Sequence, residues 1–162
     1  MSSYADLITG LKARVDTVAN VGLTHAYQRF DYQQSIYLDN FMTTINGVDQ
    51  IRGWMVTLDE REPIGTSERI SFDLVQRTFN LLIFGVMGVS DADNTEATFI
   101  DLGLSIMDAV EGRVNLGAAG VFDIGPPSMR MYQLRMFGST LCHTCEIVLS
   151  ARMDHYVEPV AG

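Results

Sequence analysis

The segment from Ser67 to Met87 limits the possible folds of this chain more than any other part of the sequence. Its apolar residues recur at the two-residue period of a β-strand, but they change faces partway along. They are Ile70, Phe72 and Leu74 on one face, followed by Val75, Phe79, Leu81 and Ile83 on the other. A single strand of this length would exceed the width of an ordinary domain. We therefore expect a bulge or bend, or a strand whose outer half is buried against a subunit partner.

The residues before this segment predict the first arm of a hairpin. Between Ile51 and Asp59, apolar Trp54, Val56 and Leu58 alternate with Met55, Thr57 and Asp59, as in a half-buried strand. The connection Glu60–Thr66 is charged and contains Pro63 and Gly65, which are typical of a turn. Together with the return segment, this strand predicts a long hairpin that protrudes from the domain.

Two segments have the apolar spacing of amphipathic helices. The first begins at a capping box of Ser3 and Asp6, and the second follows cap candidates and acids at Ser90–Glu96. Their apolar faces comprise Leu7, Ile8, Leu11, Val15 and Val18 in the first helix, and Phe99, Leu102, Ile106 and Val110 in the second. These are the two principal helices of the predicted fold.

The remaining segments complete a sheet. They comprise a short strand at Leu23–Phe30, an ambiguous stretch at Gln33–Thr44, a glycine-rich loop at Asn115–Gly125, and a final hairpin with strands at Ser128–Met136 and Leu141–Arg152. This order predicts an α+β fold, in which a mainly antiparallel sheet carries both helices on one face. The 162 residues favour a single domain, 1–162, of which we expect 153–162 to form a flexible C-terminal tail.

The charge balance and the apolar runs exclude several classes of protein. A formal net charge of −9 disfavours a surface that grips nucleic acid. The longest apolar run, Leu81–Met87, is far shorter than the roughly 20 residues that span a bilayer, and the N-terminus lacks the order of a signal peptide. We expect an intracellular protein, or a subunit of an assembled particle, that has no contact with a membrane.

Both cysteines lie in the stretch LCHTCEIVLS, as Cys142 and Cys145. This spacing is compatible with a metal or redox site, but the stretch also alternates like a strand. Residues three apart on a strand point to opposite faces, so the two thiols could not share a metal or form a disulfide without a bulge. A zinc site would need two further ligands, for which there is no second paired motif. The strand interpretation is therefore favoured.

The other candidate motifs fail on their spacing. Asp91–Thr95 begins like a calcium loop, but Glu96 stands where the loop needs glycine and Leu102 where it needs a bidentate acid. Asp59, Glu60 and Glu62 flank Arg61 and are interpreted as a solvated charge run, not an acid–base pair. No nucleophile, zinc-protease or nucleotide-binding signature is present in the sequence. We expect no enzymatic activity, no cofactor and no metal.

Several stretches resemble the tail-terminator and minor-tail-protein family of long-tailed bacteriophages, including phage-derived particles. The strongest is RMFGSTLCH, residues 135–143, followed by Glu146 and the run Ile147–Leu149. Other stretches fit in the same order: LITGLKARV, IRGWMVT, FGVMGVSDADNTEATF and the pair Pro126-Pro127. The similarity runs from Tyr4 to Leu149 and rests on pattern and a few short motifs.

The resemblance implies a structural virion protein that assembles as a ring, usually a hexamer, on the last ring of the tail tube. Its partners would be further copies of itself, the tail tube protein and a head-completion or connector protein. It would be located at the head-proximal end of the tail, and in the host cytoplasm during assembly. DNA would only pass through the lumen, which an acidic protein would leave free because like charges repel.

The sequence leaves three other functions open. A neighbouring head–tail connector or another minor tail protein would have a similar fold. A small-ligand binding module would use a groove between helices and sheet. A small enzyme would have to use His143 and Glu146, which the strand pattern places on opposite faces.

For the ring, we predict a subunit interface on the exposed arm of the hairpin and on the face that carries Trp54, because exposed apolar strand residues require a defined partner. The predicted interface residues are Trp54, Arg61, Ile64, Ile70, Phe72 and Leu74.

Overall fold

The fold is built around one nine-stranded sheet, in a computed structural model that describes residues 3–28, 33–115 and 121–157. The strands are β1 (Leu23–His25), β2 (Met42–Ile45), β3 (Val48–Leu58), β4 (Thr66–Arg69), β5 (Leu74–Gly88), β6 (Gly112–Asn115), β7 (Val121–Ile124), β8 (Ser128–Phe137) and β9 (Thr140–Tyr156). The helices are α1 (Tyr4–Val15), α2 (Gln34–Asp39) and α3 (Thr95–Val110), with a 3₁₀ turn at Asp91–Asp93 before α3. The predicted α+β class is confirmed.

The antiparallel pair β5–β9 forms the centre of the sheet. Its register runs from Leu74 opposite Tyr156 to Gly88 opposite Cys142 without a break. On the other edge of β5, β3 pairs with the second half of the strand and β4 with the first half. On the other edge of β9, β8 and β7 pair in the same way with its first and second halves. Only β1, which lies parallel to β3, departs from the antiparallel arrangement among the described strands.

The prediction of one long strand from Ser67 to Met87 is wrong. The chain reverses at residues 70–73, so that β4 folds back on β5 and the two strands pair antiparallel. The backbone amides of Ile70 and Ser71 both donate to the carbonyl oxygen of Leu74 and close this turn. The apparent change of faces therefore reflects a complete reversal, and neither a bulge nor a partner is needed to explain it.

Helices α1 and α3 pack side by side on one face of the sheet, as predicted. Ser3 and Asp6 form the predicted capping box, and the predicted apolar residues of both helices are buried, apart from Val18, which is only partly buried. Trp54 lies at the centre of this core, where its indole N–H donates to the carbonyl oxygen of Val21 and its ring stacks on Phe99 at 5.4 Å. The burial of these apolar faces is the main source of stability.

The opposite face of the sheet has a smaller core of its own. The ambiguous stretch Gln33–Thr44 forms α2 and β2, and α2 covers part of this face. The buried side chains here are Leu38, Phe41, Met55, Val86, Phe137 and Cys142. The sheet is therefore covered by helices on both faces, although the two principal helices share one.

Two predicted boundaries need correction. Strand β9 continues to Tyr156, so the first four residues of the predicted tail 153–162 belong to the sheet. Residues 158–162 lie outside the described part of the chain. The predicted loop Asn115–Gly125 ends early, because β7 begins at Val121. None of the helices in the described ranges is long and apolar enough to cross a membrane.

Gly85 provides a test of the packing between sheet and helices. A Cβ atom at this position would overlap the six-membered ring of Trp54, which is fully buried. Because a close-packed core resists added volume, we expect Gly85→Ala to lower the free energy of unfolding by about 1–3 kcal/mol. Urea denaturation followed by tryptophan fluorescence measures the change.

Gly88→Ala is the matched control on the same strand. Its Cβ would lie 3.7 Å from the Cβ of Ile51, which is an ordinary contact. We expect a much smaller change in unfolding free energy, and equal losses in the two variants would contradict the packing described for Trp54.

Candidate assembly interface

The turn between β4 and β5 is the most exposed apolar part of the described chain. We call residues 70–73 the hairpin tip. Phe72 is 85% exposed and Ile70 is 52% exposed. Polar bonds fix the shape of the tip, because Arg69 Nη1 donates to the carbonyl oxygen of Phe72 at 3.2 Å and Ser71 Oγ donates to Asp73 Oδ1 at 2.8 Å. The tip therefore holds two apolar side chains in water on a defined backbone.

The strands that support the hairpin tip are thinly covered. Every residue of β4 is exposed, and residues 74–80 of β5 are only half-buried. Strand β9 completes this extension, where the amide of Val157 donates to the carbonyl oxygen of Asp73 at 2.8 Å and Tyr156 is largely exposed. We call this extension of β4, β5 and β9 the hairpin arm. It lacks a full core of its own.

The structure separates the predicted interface residues into two groups. Ile64, Ile70 and Phe72 are exposed, as the prediction requires, and Ile64 is 74% exposed in the connection before β4. Arg61 is half-exposed, and Leu74 is half-buried at the base of the tip. Trp54 is the exception, because it is fully buried in the core and offers no surface to a partner. Its inclusion in the predicted interface was wrong.

A ring of four charges holds the connection after β3 against the sheet. Arg61 pairs with Asp59 at 2.9 Å and with Glu146 at 2.9 Å, while Arg130 pairs with the same two carboxylates at 3.0 and 3.2 Å. Glu146 and Arg130 come from the directly paired strands β9 and β8. This charge ring of two cations and two anions ties the connection after β3 to strands β8 and β9.

Asp59 is the buried member of the charge ring, with a side chain only 4% exposed. Its interpretation as part of a solvated charge run was therefore wrong. Burial alone would raise its pKa, but hydrogen bonds from Arg61 and the charge of Arg130 outweigh that effect and lower the pKa below its ordinary value. The carboxylate is thus ionised near neutral pH.

A second exposed apolar surface, which was not predicted from the sequence, lies along β8, and we call it the β8 surface. Within the described part of the chain β8 pairs only with β9, so its other edge borders no strand. The exposed apolar residues along it and in the adjoining start of β9 are Met131, Tyr132, Leu134, Met136 and Leu141. A register shift between Arg130 and Gln133 accompanies the left-handed backbone of Met131, at φ 54°. The available signal was the run 129–136, which is apolar on both faces.

The two cysteines behave as the strand interpretation predicted. Cys142 belongs to the smaller core on the α2 face, whereas Cys145 belongs to the larger core under α1 and α3. Burial raises the pKa of Cys142 to about 11 and that of Cys145 to about 12, so both thiols stay protonated at neutral pH. No group of three potential metal ligands occurs among the described residues.

His143 and Glu146 lie on opposite faces of β9, as predicted. The ring of His143 bonds to Thr95 Oγ1 at 2.9 Å through Nε2 and to the Tyr132 hydroxyl at 3.0 Å through Nδ1. It also stacks on Phe99, while Glu146 joins the charge ring. Burial lowers the pKa of His143, although Glu96 and Asp91 partly offset this effect. The histidine thus ties α3 to the last hairpin and shares no site with Glu146.

The chain matches no protein-family model, and no curated protein matches it.

We expect Asp59→Asn to lower the free energy of unfolding by about 1–2 kcal/mol at pH 7, because bonds to charged groups are lost while the half-exposed arginines retain water. The pKa of Asp59 is lower in the fold than in the unfolded chain. Its contribution is therefore present above about pH 4 and is lost as the pH falls further. Urea denaturation between pH 3 and 7 measures both effects.

The control for this variant is Asp108→Asn, which removes an exposed carboxylate from α3. It should leave stability at pH 7 nearly unchanged. If Asp59→Asn kept the full pH dependence of the wild type, the assigned role of Asp59 would be incorrect.

Proposed function

We propose that this chain is a structural protein of a long-tailed bacteriophage or phage-derived particle. It forms a ring, usually hexameric in the family it resembles, that ends the tail tube and joins it to the head-completion proteins. The observation that carries the proposal is the hairpin arm, whose exposed tip presents Ile70 and Phe72 from a fixed backbone. Exposed apolar groups of this kind favour a protein partner.

The second support is that the chain has two unlike apolar surfaces. The hairpin tip closes the β4–β5 end of the sheet, whereas the β8 surface follows a different edge. Contacts between unlike surfaces of identical subunits run head to tail, and they produce a closed ring when the rotation between subunits divides a full turn. Two distinct surfaces on one chain are what such a ring requires.

The third support is the position of the motifs that carry the resemblance. LITGLKARV falls in α1, IRGWMVT in β3, and RMFGSTLCH runs from the end of β8 through the turn into β9. The passage FGVMGVSDADNTEATF runs from the end of β5 into α3. These motifs therefore lie in α1, in β3, in the passage from β5 to α3, and in the hairpin of β8 and β9.

The charge of the chain suits a ring through which DNA passes. A net charge of −9 provides no surplus of cations to hold phosphates, so a lumen lined by such subunits would repel the DNA and let it slide. We infer that nucleic acid is cargo in transit and that the stable partners are proteins.

The small-ligand alternative receives less support. The groove between α3 and residues 17–20, which follow α1, has a volume of about 600 Å³, but it is open to solvent. Its polar lining residues in the described ranges include Thr17, Asn20, Arg52, Asp101, Ser105 and Asp108. Such a groove differs from the enclosed apolar pocket that a small-molecule site usually provides.

Loss of this chain from the particle tests the proposed function. Without a terminator the tube continues to polymerise, so electron micrographs should show abnormally long tails. Loss of a head–tail connector would leave tails of normal length that are not joined to heads. This result would instead favour a role as a head–tail connector.

Native mass measurement provides the matching biochemical test. We expect a species of six times the 18.0 kDa chain mass, either alone or after incubation with purified tail tubes. A protein that stayed monomeric in both conditions would exclude the ring.

A further inference from the structure

Arg52 is a buried cation without a counterion. It lies in β3 and is 8% exposed. Its Nη1 donates to the carbonyl oxygen of Asn20 at 3.0 Å, while its buried Nε has no hydrogen-bond partner. No carboxylate of the described residues forms an ion pair with it, and burial, the only cause of its shifted pKa, lowers that pKa. Burying a guanidinium without a counterion costs free energy, and a carboxylate supplied by another molecule would offset that cost.

Arg52 lines a groove of about 1070 Å³ at the Gly88 end of β5. We call this the Arg52 groove. Its walls are the β2–β3 hairpin and the turn between β8 and β9, and its apolar lining includes Met42, Val48 and Leu141, all of which are exposed. Asp49 and Asp93 also line it. The groove thus combines apolar side chains, one unpaired cation and two acids. Val48 and Arg52 point to the α3 face of β3, whereas Met42 and Asp49 point to the other face.

The hairpin tip has the complementary chemistry. Ile70 and Phe72 supply exposed apolar side chains, and Asp73 supplies an exposed carboxylate that forms no ion pair within the described chain. Arg69 supplies a cation that could meet the acids of the groove. The apolar side chains of the tip therefore match the apolar lining of the groove. The Asp73 carboxylate matches Arg52, and the Arg69 guanidinium matches the acids of the groove.

The tip cannot reach the groove of its own molecule. The tip adjoins Leu74 at the start of β5, whereas the groove contains Met87 and Gly88 at its end. The strand between them has 15 residues, which at about 3.3 Å each separates the two surfaces by about 45 Å. Any contact between tip and groove must therefore join two molecules.

We propose that the hairpin tip of one copy inserts into the Arg52 groove of the next copy, with Asp73 paired to Arg52 and Phe72 packed against Val48 and Leu141, which lie on the same side of the sheet as Arg52. The carboxylate completes the hydrogen bonding of the guanidinium, in the manner of a charge-assisted pair. Each copy contributes one tip and one groove, so the contact is head to tail. Closure of such contacts into a ring rests on the proposed function, whereas the pairwise contact does not.

Two variants, each with one damaged surface, test the geometry. The tip variant carries Phe72→Ser and Asp73→Arg, and the groove variant carries Val48→Glu and Leu141→Glu; all four positions are exposed, so the fold should survive. Each variant alone should remain monomeric in sedimentation analysis. Mixed in equal amounts they should form dimers and nothing larger, because one intact tip and one intact groove remain in the mixture.

The matched control is Leu104→Ser, which changes an exposed apolar residue of α3 outside both surfaces and should assemble like the wild type. Circular dichroism of every variant checks folding. Normal assembly of the folded tip variant, or a mixture that stays monomeric, would overturn the contact. A wild-type chain that never associates at high concentration would overturn it as well.

A double-mutant cycle tests the charged pair within the mixed dimer. We expect Asp73→Asn in the tip donor and Arg52→Gln in the groove donor each to weaken the dimer about tenfold, and the two changes together to weaken it little further. Independent effects that multiply would show that Arg52 and Asp73 do not touch. Long tails in particles lacking the chain, combined with a failed mixing test, would leave the terminator role intact and reject only this contact.

Discussion

The antiparallel ladder between β5 and β9 is the interaction on which the rest of the structure depends. It presents one face to α1 and α3 and the other to α2, and every other strand attaches directly or indirectly to its edges. The ladder is longer than either of the cores that cover it. Where the helices end, its first β5 residues continue as the hairpin arm, and the exposed tip is thus a direct result of the length of these two strands.

Local patterns in the sequence were sufficient to predict the fold class. The spacing of Leu7, Leu11 and Val15 predicts α1 because a helix face depends on neighbours three or four residues apart. The alternation around Cys142 and Cys145 likewise separates the two thiols, because the faces of a strand have a period of two. Features that repeat over short distances are therefore accessible without a structure.

The errors have a common physical cause in contacts between distant residues. The turn at residues 70–73 contains no glycine or proline, and it closes through backbone bonds to Leu74 and support from β9. Trp54 was assigned to a surface because alternation does not reveal which face is covered by a helix. The sequence does not predict that Arg130 and Glu146 form ion pairs around Asp59, because they lie far from it in sequence and approach it only in the folded sheet. The sequence therefore predicts the exposed apolar residues of the candidate site but not its ion pairs.

The bond between the amide of Val157 and the carbonyl oxygen of Asp73 has a consequence for biosynthesis. The hairpin tip is flanked by β5, yet it obtains this support only from a residue more than eighty positions later. During translation, β4 and β5 leave the ribosome well before β9 exists, so the arm has no complete sheet to rest on. The hairpin tip therefore acquires its final shape only after the ribosome has passed Val157.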